Sequence, residues 1–254
     1  MSAMRVVVTA GASGIGLAIA RRFLAARARV AICDVDGSAI EKAQRLEPAL
    51  FARRVDVSSE AAVRDFVADV TAAFGGIDAL VNNAGIAGAC RAIEAIEAEH
   101  WIRSFDVNVH GAFYFMKAVV PAMKGQGAGA IINISTGSVF TLPTGRADYI
   151  ASKWAVEGLT RAAARELGPA GIRVNAIRPG YVNSDRMKTI LTAKAKEEGG
   201  TLEALEQAFL DYISMRTKVE PEEIGDMALF LASDAARHVT GQLLSVDGNI
   251  EWEA

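Results

Sequence analysis

A glycine-rich segment early in the sequence has the residue types and spacing to hold a phosphate group. The segment TAGASGIG, residues 9–16, follows an apolar, β-branched run and leads into an alanine-rich stretch of helical period. Glycines at these spacings allow a tight turn, a close approach of the backbone to a pyrophosphate, and packing of the helix on the sheet. The first amides of that helix would face the anion. We therefore expect a dinucleotide to contact Gly11, Ser13, Gly14, Ile15 and Gly16.

A carboxylate stands at the end of each of the next two apolar runs. These carboxylates could bind the adenosine half of a dinucleotide. Asp34 ends the second run, and a carboxylate there accepts hydrogen bonds from ribose hydroxyls and repels a 2′-phosphate. No Arg or Lys in residues 9–16 offsets this repulsion, so the sequence favours NAD over NADP. After the third run, Asp56 and Val57 stand where a carboxylate could accept from the adenine amino group. Helix N-capping by Asp56 or Ser58 is the alternative.

Apolar runs alternate with longer segments of helical period along the chain. The runs are residues 5–9, 30–33, 50–55, 79–82, 130–134, 173–177 and 243–246. The helical segments between them include 14–28, 58–74, 101–123, 149–167 and 222–231. This alternation is typical of a parallel sheet with helices on both faces, and no linker rich in Pro, Gly or Ser divides it. We predict an α/β fold in which residues 1–254 form a single domain, a doubly wound, Rossmann-like parallel sheet of about seven strands.

One segment departs from this alternation. Between Gly180 and Glu222 the expected short connection becomes a long charged stretch, in which two helical patterns meet at Gly199 and Gly200. Loops of this length in compact domains are usually functional lids or disordered, and the helical periodicity favours a lid. We expect a helical substrate lid at about 184–219.

Composition and charge narrow the class of ligand. The net charge of −3 includes no basic block, so a nucleic-acid partner is not expected. Cys33 and Cys90 are too few for a disulfide framework and lack metal-ligand spacing, so no metal site is predicted. The N-terminus has no signal-peptide layout, and no stretch approaches the length of a membrane span. These features predict a cytoplasmic protein with a small-molecule substrate and no membrane partner.

Four short motifs occur in a fixed order along the chain. They are TAGASGIG at 9–16, NNAG at 82–85, YIASK at 149–153 and RPG at 178–180. With these motifs the chain resembles the short-chain dehydrogenase/reductase family, and the resemblance extends from residue 5 to about residue 248. It implies an NAD(H)-dependent oxidoreductase that transfers a hydride between nicotinamide and a secondary alcohol or ketone.

The resemblance implies a proton-transfer pair in the third motif. Tyr149 and Lys153 match the family's Tyr and Lys, and residues four apart share a helix face. A free phenol titrates near ~10, and an ammonium and the oxidised nicotinamide nearby would lower that pKa. Tyr149 would donate a proton to a ketone or accept one from an alcohol, and Lys153 would also hold the nicotinamide ribose. Asn108 matches the family's helix Asn, which links Lys to solvent through a water; a local hydrogen bond within the helix is the alternative.

The same resemblance implies further contacts with the cofactor. It assigns Asn83, Ala84 and Gly85 to the segment that closes over the adenosine and supports the sheet. It assigns Pro179, Gly180, Val182 and Ser184 to the segment that flanks the nicotinamide. The amide of Val182 would bind the carboxamide, and Ser184 keeps a hydroxyl where the family often has Thr.

A cluster of hydroxyls follows the fifth apolar run in NISTGSV, residues 133–139. The family's third catalytic group is a Ser just after the fifth strand, hydrogen-bonded to the substrate oxygen. Both the distance back from Tyr149 and the strand end assign this place to Thr136, whose methyl group stiffens the side chain and narrows the pocket. Ser138 is the alternative and needs a shortened loop before Tyr149. Ser135 is disfavoured because alternation along a strand points it away from Thr136.

The substrate is not identified by these motifs. Ala10 replaces the family's first turn glycine, and we expect cofactor binding to survive the extra methyl group. Arg146 could meet an anionic group of the substrate, or it could pair with Asp148 or Glu157 on the surface. By position, substrate contacts are expected from Ala87, Gly88, Cys90, Thr141, Leu142, Arg146, Tyr181 and Met187.

Two other functions are compatible with the motifs of this chain, and the family resemblance also bears on its oligomeric state. A non-catalytic dinucleotide-binding sensor would keep the fold without turnover, and an epimerase or dehydratase would use the same site without net change in NADH. Family members usually form tetramers or dimers through the helices that match residues 101–123 and 149–167. The resemblance therefore implies a homo-oligomer.

Overall fold

The fold is built around one parallel β-sheet. The computed structural model describes residues 3–250, apart from the side chains at 186, 193, 194, 197 and 198. The strands are β1 (Arg5–Thr9), β2 (Arg29–Asp34), β3 (Phe51–Arg54), β4 (Ala79–Asn82), β5 (Gly129–Ile134), β6 (Ile172–Pro179) and β7 (Leu243–Val246). They pair in parallel in the order β3-β2-β1-β4-β5-β6-β7. The predicted doubly wound sheet is confirmed.

Helices connect these strands. They are α1 (Gly14–Ala25), α2 (Gly37–Leu46), α3 (Glu60–Phe74), α4 (Ala98–Phe105), α5 (Gly111–Gln126), α6 (Ser138–Thr141), α7 (Ala147–Leu167), α8 (Asp185–Glu198), α9 (Leu202–Asp211) and α10 (Pro221–Ala232). A π-helical turn, Asp106–His110, joins α4 to α5. Within residues 3–250, no helix is both long and apolar enough to cross a membrane.

The apolar side chains of the sheet are divided between its two faces. Val6 and Val8 of β1 pack in one cluster with α1, α2 and α10, whereas Val7 lies in another with α3, α5 and α7. In β5, Ile132 and Ile131 divide in the same way. Because successive side chains of a strand point to opposite faces, a continuous apolar run is buried only when both faces are covered. These runs therefore require the helices on each side.

The carboxyl ends of the strands meet at one edge of the sheet. Pairing in register brings Thr9 opposite Cys33, Asn82 opposite Asn133, and Ile134 opposite Ile177. Between β1 and β4 the strand order reverses, because the chain returns from β3 at one edge of the sheet to the other side of β1. Doubly wound sheets bind their ligands outside the carboxyl ends of the strands at such a point. The segments that follow β1, β4, β5 and β6 converge there.

Two helical features differ from the sequence prediction. The helix α2 is absent from that prediction, although the carboxylate of Asp36 caps it by accepting from the amides of Ser38 and Ala39. The segment 101–123, predicted as one helix, is interrupted by the π-turn. A π-turn carries one more residue than an α-helical turn, and such turns are frequent at functional sites. Apolar periodicity in one sequence does not detect a single extra residue.

The long segment between β6 and α10 contains two helices, as its sequence pattern indicates. Gly199 is the C-cap of α8, where its φ of 70° suits a glycine, and α9 begins shortly after it. Leu191 and Ile213 pack with Tyr181 in a small cluster distinct from the two that cover the sheet. Through this cluster, α8 and α9 rest against the end of β6.

Candidate active site

A cavity of about 460 Å³ lies at the carboxyl edge of the sheet. Residues that follow the first six strands line it, together with parts of α7 and α8, and its volume is typical of sites for cofactors and small molecules. Most of the predicted site residues are among its lining, namely Ser13, Gly14, Ile15, Gly16, Asp34, Asp56, Val57, Asn83, Ala84, Gly85, Thr136, Ser138, Tyr149, Lys153, Pro179, Val182 and Ser184.

Three predicted site residues lie outside this lining. A Cβ on Gly11 would lie 2.6 Å from the side chain of Ile32, so this glycine lets the turn pack against β2. Gly180 lines a second cavity of about 50 Å³ next to the first. Asn108 is buried in the π-turn behind the cavity wall. These residues shape the cavity without facing it.

The turn between β1 and α1 is shaped for an anion. A Cβ on Gly16 would clash with the carbonyl oxygen of Ala10 and the side chain of Asn83. Asn83 Nδ2 in turn donates to the carbonyl oxygens of Thr9 and Ala10 at 3.0 and 3.1 Å, which fixes the turn. The side chain of the N-cap residue Ser13 makes no capping hydrogen bond, so its hydroxyl leaves the first amides of α1 open to a ligand. These amides and the positive end of the helix dipole suit a pyrophosphate.

Ala10 occupies a backbone conformation that favours glycine. Its φ is 48°, in the left-handed region, and the residue lines the cavity. A side chain in this region costs about 1–2 kcal/mol, because Cβ approaches the following carbonyl oxygen. The departure from glycine at this position is therefore accommodated at the expense of backbone strain.

Two carboxylates line the end of the cavity beside β2 and β3. Asp34 accepts from the amides of Ala12 and Asp36 at 3.3 and 3.2 Å. Asp56 accepts from the amide and hydroxyl of Ser58 and from Arg103 Nη2. Burial raises the pKa of Asp56, but the hydrogen bonds from Ser58 and the charge of Arg103 outweigh it and hold that pKa below its usual value. Asp56 thus faces the cavity as an anion at neutral pH.

The capping alternative for Asp56 is resolved by the geometry of α3. Ser59 is the N-cap of this helix, and its hydroxyl accepts from the amide of Ala62. Asp56 instead holds the turn before the helix through Ser58 and also lines the cavity. The alternative of a helix N-cap at Asp56 or Ser58 is therefore wrong, and Asp56 lies beside the cavity, as a contact with the adenine amino group would require.

Tyr149 and Lys153 lie in the first turns of α7, and both face the cavity. Lys153 is 4% exposed, and its Nζ donates to the carbonyl oxygen of Ile134 at 2.7 Å. The same Nζ lies 5.9 Å from the centroid of the Tyr149 ring. Because solvent screens a buried charge poorly, the Lys153 ammonium interacts strongly with any other charge beside the Tyr149 ring. The structure thus brings the predicted pair together beside the end of β5.

Asn108 connects the loop after β4 to α7. Its Oδ1 accepts from the amide of Ile86 at 2.8 Å, and its Nδ2 donates to the hydroxyl of Ser152 at 2.9 Å. A Cβ on Gly85 would lie 3.3 Å from both Asn108 Oδ1 and Lys153 Nζ, so the glycine allows these two groups to converge. The π-turn therefore places Asn108 next to Lys153, across two elements that are distant in sequence.

The three hydroxyls after β5 have different surroundings. Ser135 Oγ donates to Glu157 at 2.7 Å, and Glu157 also receives the guanidinium of Arg178. Thr136 Oγ1 accepts from the amide of Ser138 at 3.1 Å. A hydroxyl has one donor and two lone pairs, so Thr136 keeps its proton and one lone pair for a ligand. The hydroxyl of Ser135 is already committed to the buried carboxylate.

The residues expected on the substrate side are divided among several places. Arg146 and Met187 line the large cavity, while Thr141 and Tyr181 line the small one, which shares Ser138 and Met187 with the large cavity. Those that line neither cavity are Ala87, Gly88, Cys90 and Leu142. Cys90 and Leu142 are exposed, and both have a backbone φ in the left-handed region.

Several lining residues were missed by the sequence reasoning. They include Val35, Val55, Ile86, Arg103, Val107 and Ile190. Arg103 reaches Asp56 from α4, so the contact joins residues that are far apart in sequence. Val35 and Val55 directly adjoin Asp34 and Asp56, and their adjacency to the predicted carboxylates is the signal that could have identified them.

Comparisons with known proteins agree over nearly the whole chain. A family model described as "Enoyl-(Acyl carrier protein) reductase" matches residues 9–249. Galactitol 2-dehydrogenase (L-tagatose-forming) of Cereibacter sphaeroides is 41% identical over 244 residues, which are 95% of this chain and 92% of that protein.

Two solved structures share the fold. The crystal structure of NAD+-bound xylitol dehydrogenase has a TM-score of 0.90 at 34% identity and covers 97% of this chain and 98% of its own. The crystal structure of a variant of actinorhodin polyketide ketoreductase with NADPH has a TM-score of 0.91 at 31% identity and covers 97% and 96%. The first of these structures contains NAD+ and the second contains NADPH, so the shared fold occurs with either form of the dinucleotide.

Proposed function

The chain belongs to the short-chain dehydrogenase/reductase family and is an oxidoreductase acting on CH–OH groups, and we propose that it uses NAD(H), with Tyr149 as general acid and base. Its substrate would be a small secondary alcohol or the corresponding ketone. The observation that supports this proposal is the convergence of Tyr149, Lys153 and Thr136 on the cavity that also contains the glycine-rich turn.

The choice of NAD over NADP rests on Asp34. The chain binds a nicotinamide dinucleotide, and the carboxylate of Asp34 lines the cavity where the adenosine ribose would lie. A carboxylate there accepts from two ribose hydroxyls and repels a 2′-phosphate. Arg54 of β3 lies opposite Asp34 in the strand register. Its Nε donates to the carbonyl oxygen of Val35, and the residue does not line the cavity. The cation that lines this end of the cavity, Arg103, is already paired with Asp56.

Proton transfer is proposed at the Tyr149 hydroxyl. The bound dinucleotide would supply the hydride acceptor or donor. Tyr149 would hold the substrate oxygen, take its proton during oxidation and return one during reduction. Lys153, buried beside the ring, would stabilise the anionic form of Tyr149 and hold the nicotinamide ribose. Asn108 would fix the loop at Ile86 against α7 and join the proton path from Lys153 to solvent.

Thr136 is the residue that we propose as the third catalytic hydroxyl. The Ser138 amide orients its oxygen and leaves its proton available, whereas Ser138 stands at the start of α6 and is shared with the small cavity. Replacing each by Ala in turn tests this assignment. The Thr136→Ala variant should lose more turnover than Ser138→Ala, and the reverse order would assign the role to Ser138.

The helical segment 184–219 is proposed as a lid over the substrate. Ser184 and Met187 line the large cavity, and Met187, Phe209 and Tyr212 line the small one. The hydroxyl of Tyr181 donates to Glu206 of α9 at 2.9 Å, and Lys218 donates to the same carboxylate at 2.8 Å. Burial and the neighbouring Glu206 raise the pKa of Tyr181, so it keeps the proton that it donates. This link would hold α9 over the end of β6.

A homo-oligomer, a tetramer or a dimer, is proposed from the outer faces of α4, α5 and α7. Large apolar side chains are exposed there, namely Trp101, Ile102, Phe113 and Trp154. Exposed apolar patches on such faces commonly mark association sites. Sedimentation equilibrium would distinguish an oligomer from a monomer.

The activity is tested by the absorbance of NADH. Purified protein with NAD is mixed with secondary alcohols, polyols and hydroxy acids, and NADH formation is followed. A dehydrogenase forms NADH with at least one alcohol. Tight binding of NAD with no turnover of any alcohol would instead support a sensor, and chemical change of the substrate without NADH would support an epimerase or a dehydratase.

A further inference from the structure

Charged side chains divide the large cavity into two ends. Asp34, Asp56 and Arg103 lie beside β2 and β3, where Arg103 is paired with Asp56. Lys153 and Arg146 lie at the other end with Tyr149, and Lys153 donates to Ile134. Any substrate oxygen at Tyr149 therefore has Arg146 as a neighbour.

Arg146 makes no ion pair with the carboxylates that the sequence places near it. Of the two, Asp148 accepts from the amide of Ala89 and the hydroxyl of Ser104, and Glu157 holds Arg178. Arg146 Nε is buried and has no hydrogen-bond partner among the described side chains and backbone. The sequence allows Arg146 to pair with Asp148 or Glu157 on the surface, but both carboxylates are engaged by other groups.

The guanidinium of Arg146 lies against the ring of Tyr149. Its central carbon lies 4.5 Å from the centroid of the Tyr149 ring, within the range of a cation–π contact. This contact holds the central carbon of the guanidinium over the ring, and the N–H donors of the guanidinium can serve other groups. A planar fork of N–H donors matches the two oxygens of a carboxylate.

We propose that Arg146 binds an oxyanion of the substrate, best a carboxylate, and so selects hydroxy acids over neutral alcohols. The short distance from the guanidinium to the Tyr149 ring requires the carboxylate to lie close to the carbinol carbon. This inference rests on the proposed function, because it assumes that Tyr149 holds the substrate hydroxyl. A bound carboxylate would supply the acceptor that Arg146 Nε lacks among the described groups, and hydrogen bonds between charged groups are the stronger class.

The test compares each acid with its own uncharged ester. Lactate, 3-hydroxybutyrate and their methyl esters are oxidised with NAD, beside a neutral polyol, and the ratio of kcat/KM for acid over ester is measured. In the wild type this ratio should favour the acid. Arg146→Gln should lower the ratio by about tenfold to a hundredfold, with the ester rate little changed, because only the anion loses its partner.

Two further variants separate recognition from support. Arg146→Lys keeps the charge without the fork and should retain part of the preference for the acid. Arg161→Gln removes a charge from an exposed position on α7, the helix whose N-cap is Arg146, and should leave the ratio unchanged. The NAD dissociation constant, measured by calorimetry, should be the same for all of them. A structural role for Arg146 would lower the acid and ester rates together.

The outcomes distinguish this inference from the proposed function. If the wild type oxidises the polyol or the esters as well as it oxidises the acids, or if Arg146→Gln leaves the ratio unchanged, recognition of an oxyanion by Arg146 is wrong while the dehydrogenase activity stands. If no alcohol, acid or ester yields NADH although NAD binds, the proposed function itself is wrong and the inference fails with it.

Discussion

Replacement of Ala10 by Gly is expected to stabilise the protein. Ala10 has φ 48° in the turn between β1 and α1, where a side chain costs about 1–2 kcal/mol of strain. Glycine removes this strain but adds about 0.5–1 kcal/mol of conformational entropy to the unfolded chain. The free energy of unfolding should therefore rise by about 0.5–1 kcal/mol, since the first effect exceeds the second.

Chemical unfolding measures this difference directly. The urea midpoint of Ala10→Gly should increase with an unchanged slope, and the melting temperature should rise by about 2–4 °C for each kcal/mol. Ala68→Gly is the matched control, because Ala68 lies on the exposed side of α3 in ordinary helical conformation. There the same chemical change should destabilise the protein by about 1 kcal/mol.

The effect on the cofactor site separates strain from function. The hydrogen bonds that fix the turn run from Asn83 to the carbonyl oxygens of Thr9 and Ala10, and neither uses the Ala10 methyl group. The NAD dissociation constant should therefore stay close to that of the wild type. If Ala10→Gly unfolded at lower urea, as Ala68→Gly should, the left-handed strain assigned to Ala10 would be refuted.

The remaining predictions concern two carboxylates. Asp34→Ala should reduce the preference for NAD over NADP, measured as a ratio of kcat/KM values, by about tenfold or more, because a charged acceptor of the ribose is lost; an unchanged ratio would contradict the assignment of Asp34. Burial raises the pKa of Asp78, but the hydrogen bonds and charge of Arg5 outweigh it and hold that pKa below the unfolded value of ~3.9. The stability from this pair is complete above the unfolded pKa and is lost as the pH falls through the folded pKa. Asp78→Asn should therefore lower the urea midpoint at neutral pH, and its difference from the wild type should shrink in acid; a difference independent of pH would argue against the ion pair.

Elements buried on both faces could be predicted from the sequence. The bounds of the central strands β1 and β4 agree with the apolar runs 5–9 and 79–82. A central parallel strand is apolar at nearly every position, so its ends coincide with the first polar residues. The helices that cover it are amphipathic, and they were predicted except for α2 and the π-turn.

Features that depend on contacts between distant residues could not be predicted in this way. Arg103 reaches Asp56 from another helix, and Asn108 connects Ile86 to Ser152 only because a π-turn places it there. That Arg146 Nε lacks a partner among the described groups follows from how its neighbours are used, which no local pattern records. Local sequence therefore identifies the residue types of the site, while tertiary packing decides which of them meet.

The Tyr149→Phe variant tests the proposed proton transfer most directly. Phe keeps the ring that Arg146 stacks on and removes only the hydroxyl that would take the proton. Turnover of the best alcohol, followed as NADH formation, should fall by about a hundredfold to ten-thousandfold, the usual contribution of a positioned acid or base. NAD binding by calorimetry and the urea midpoint should be unchanged. A variant that binds NAD normally and keeps a rate near that of the wild type would show that Tyr149 does not transfer the proton.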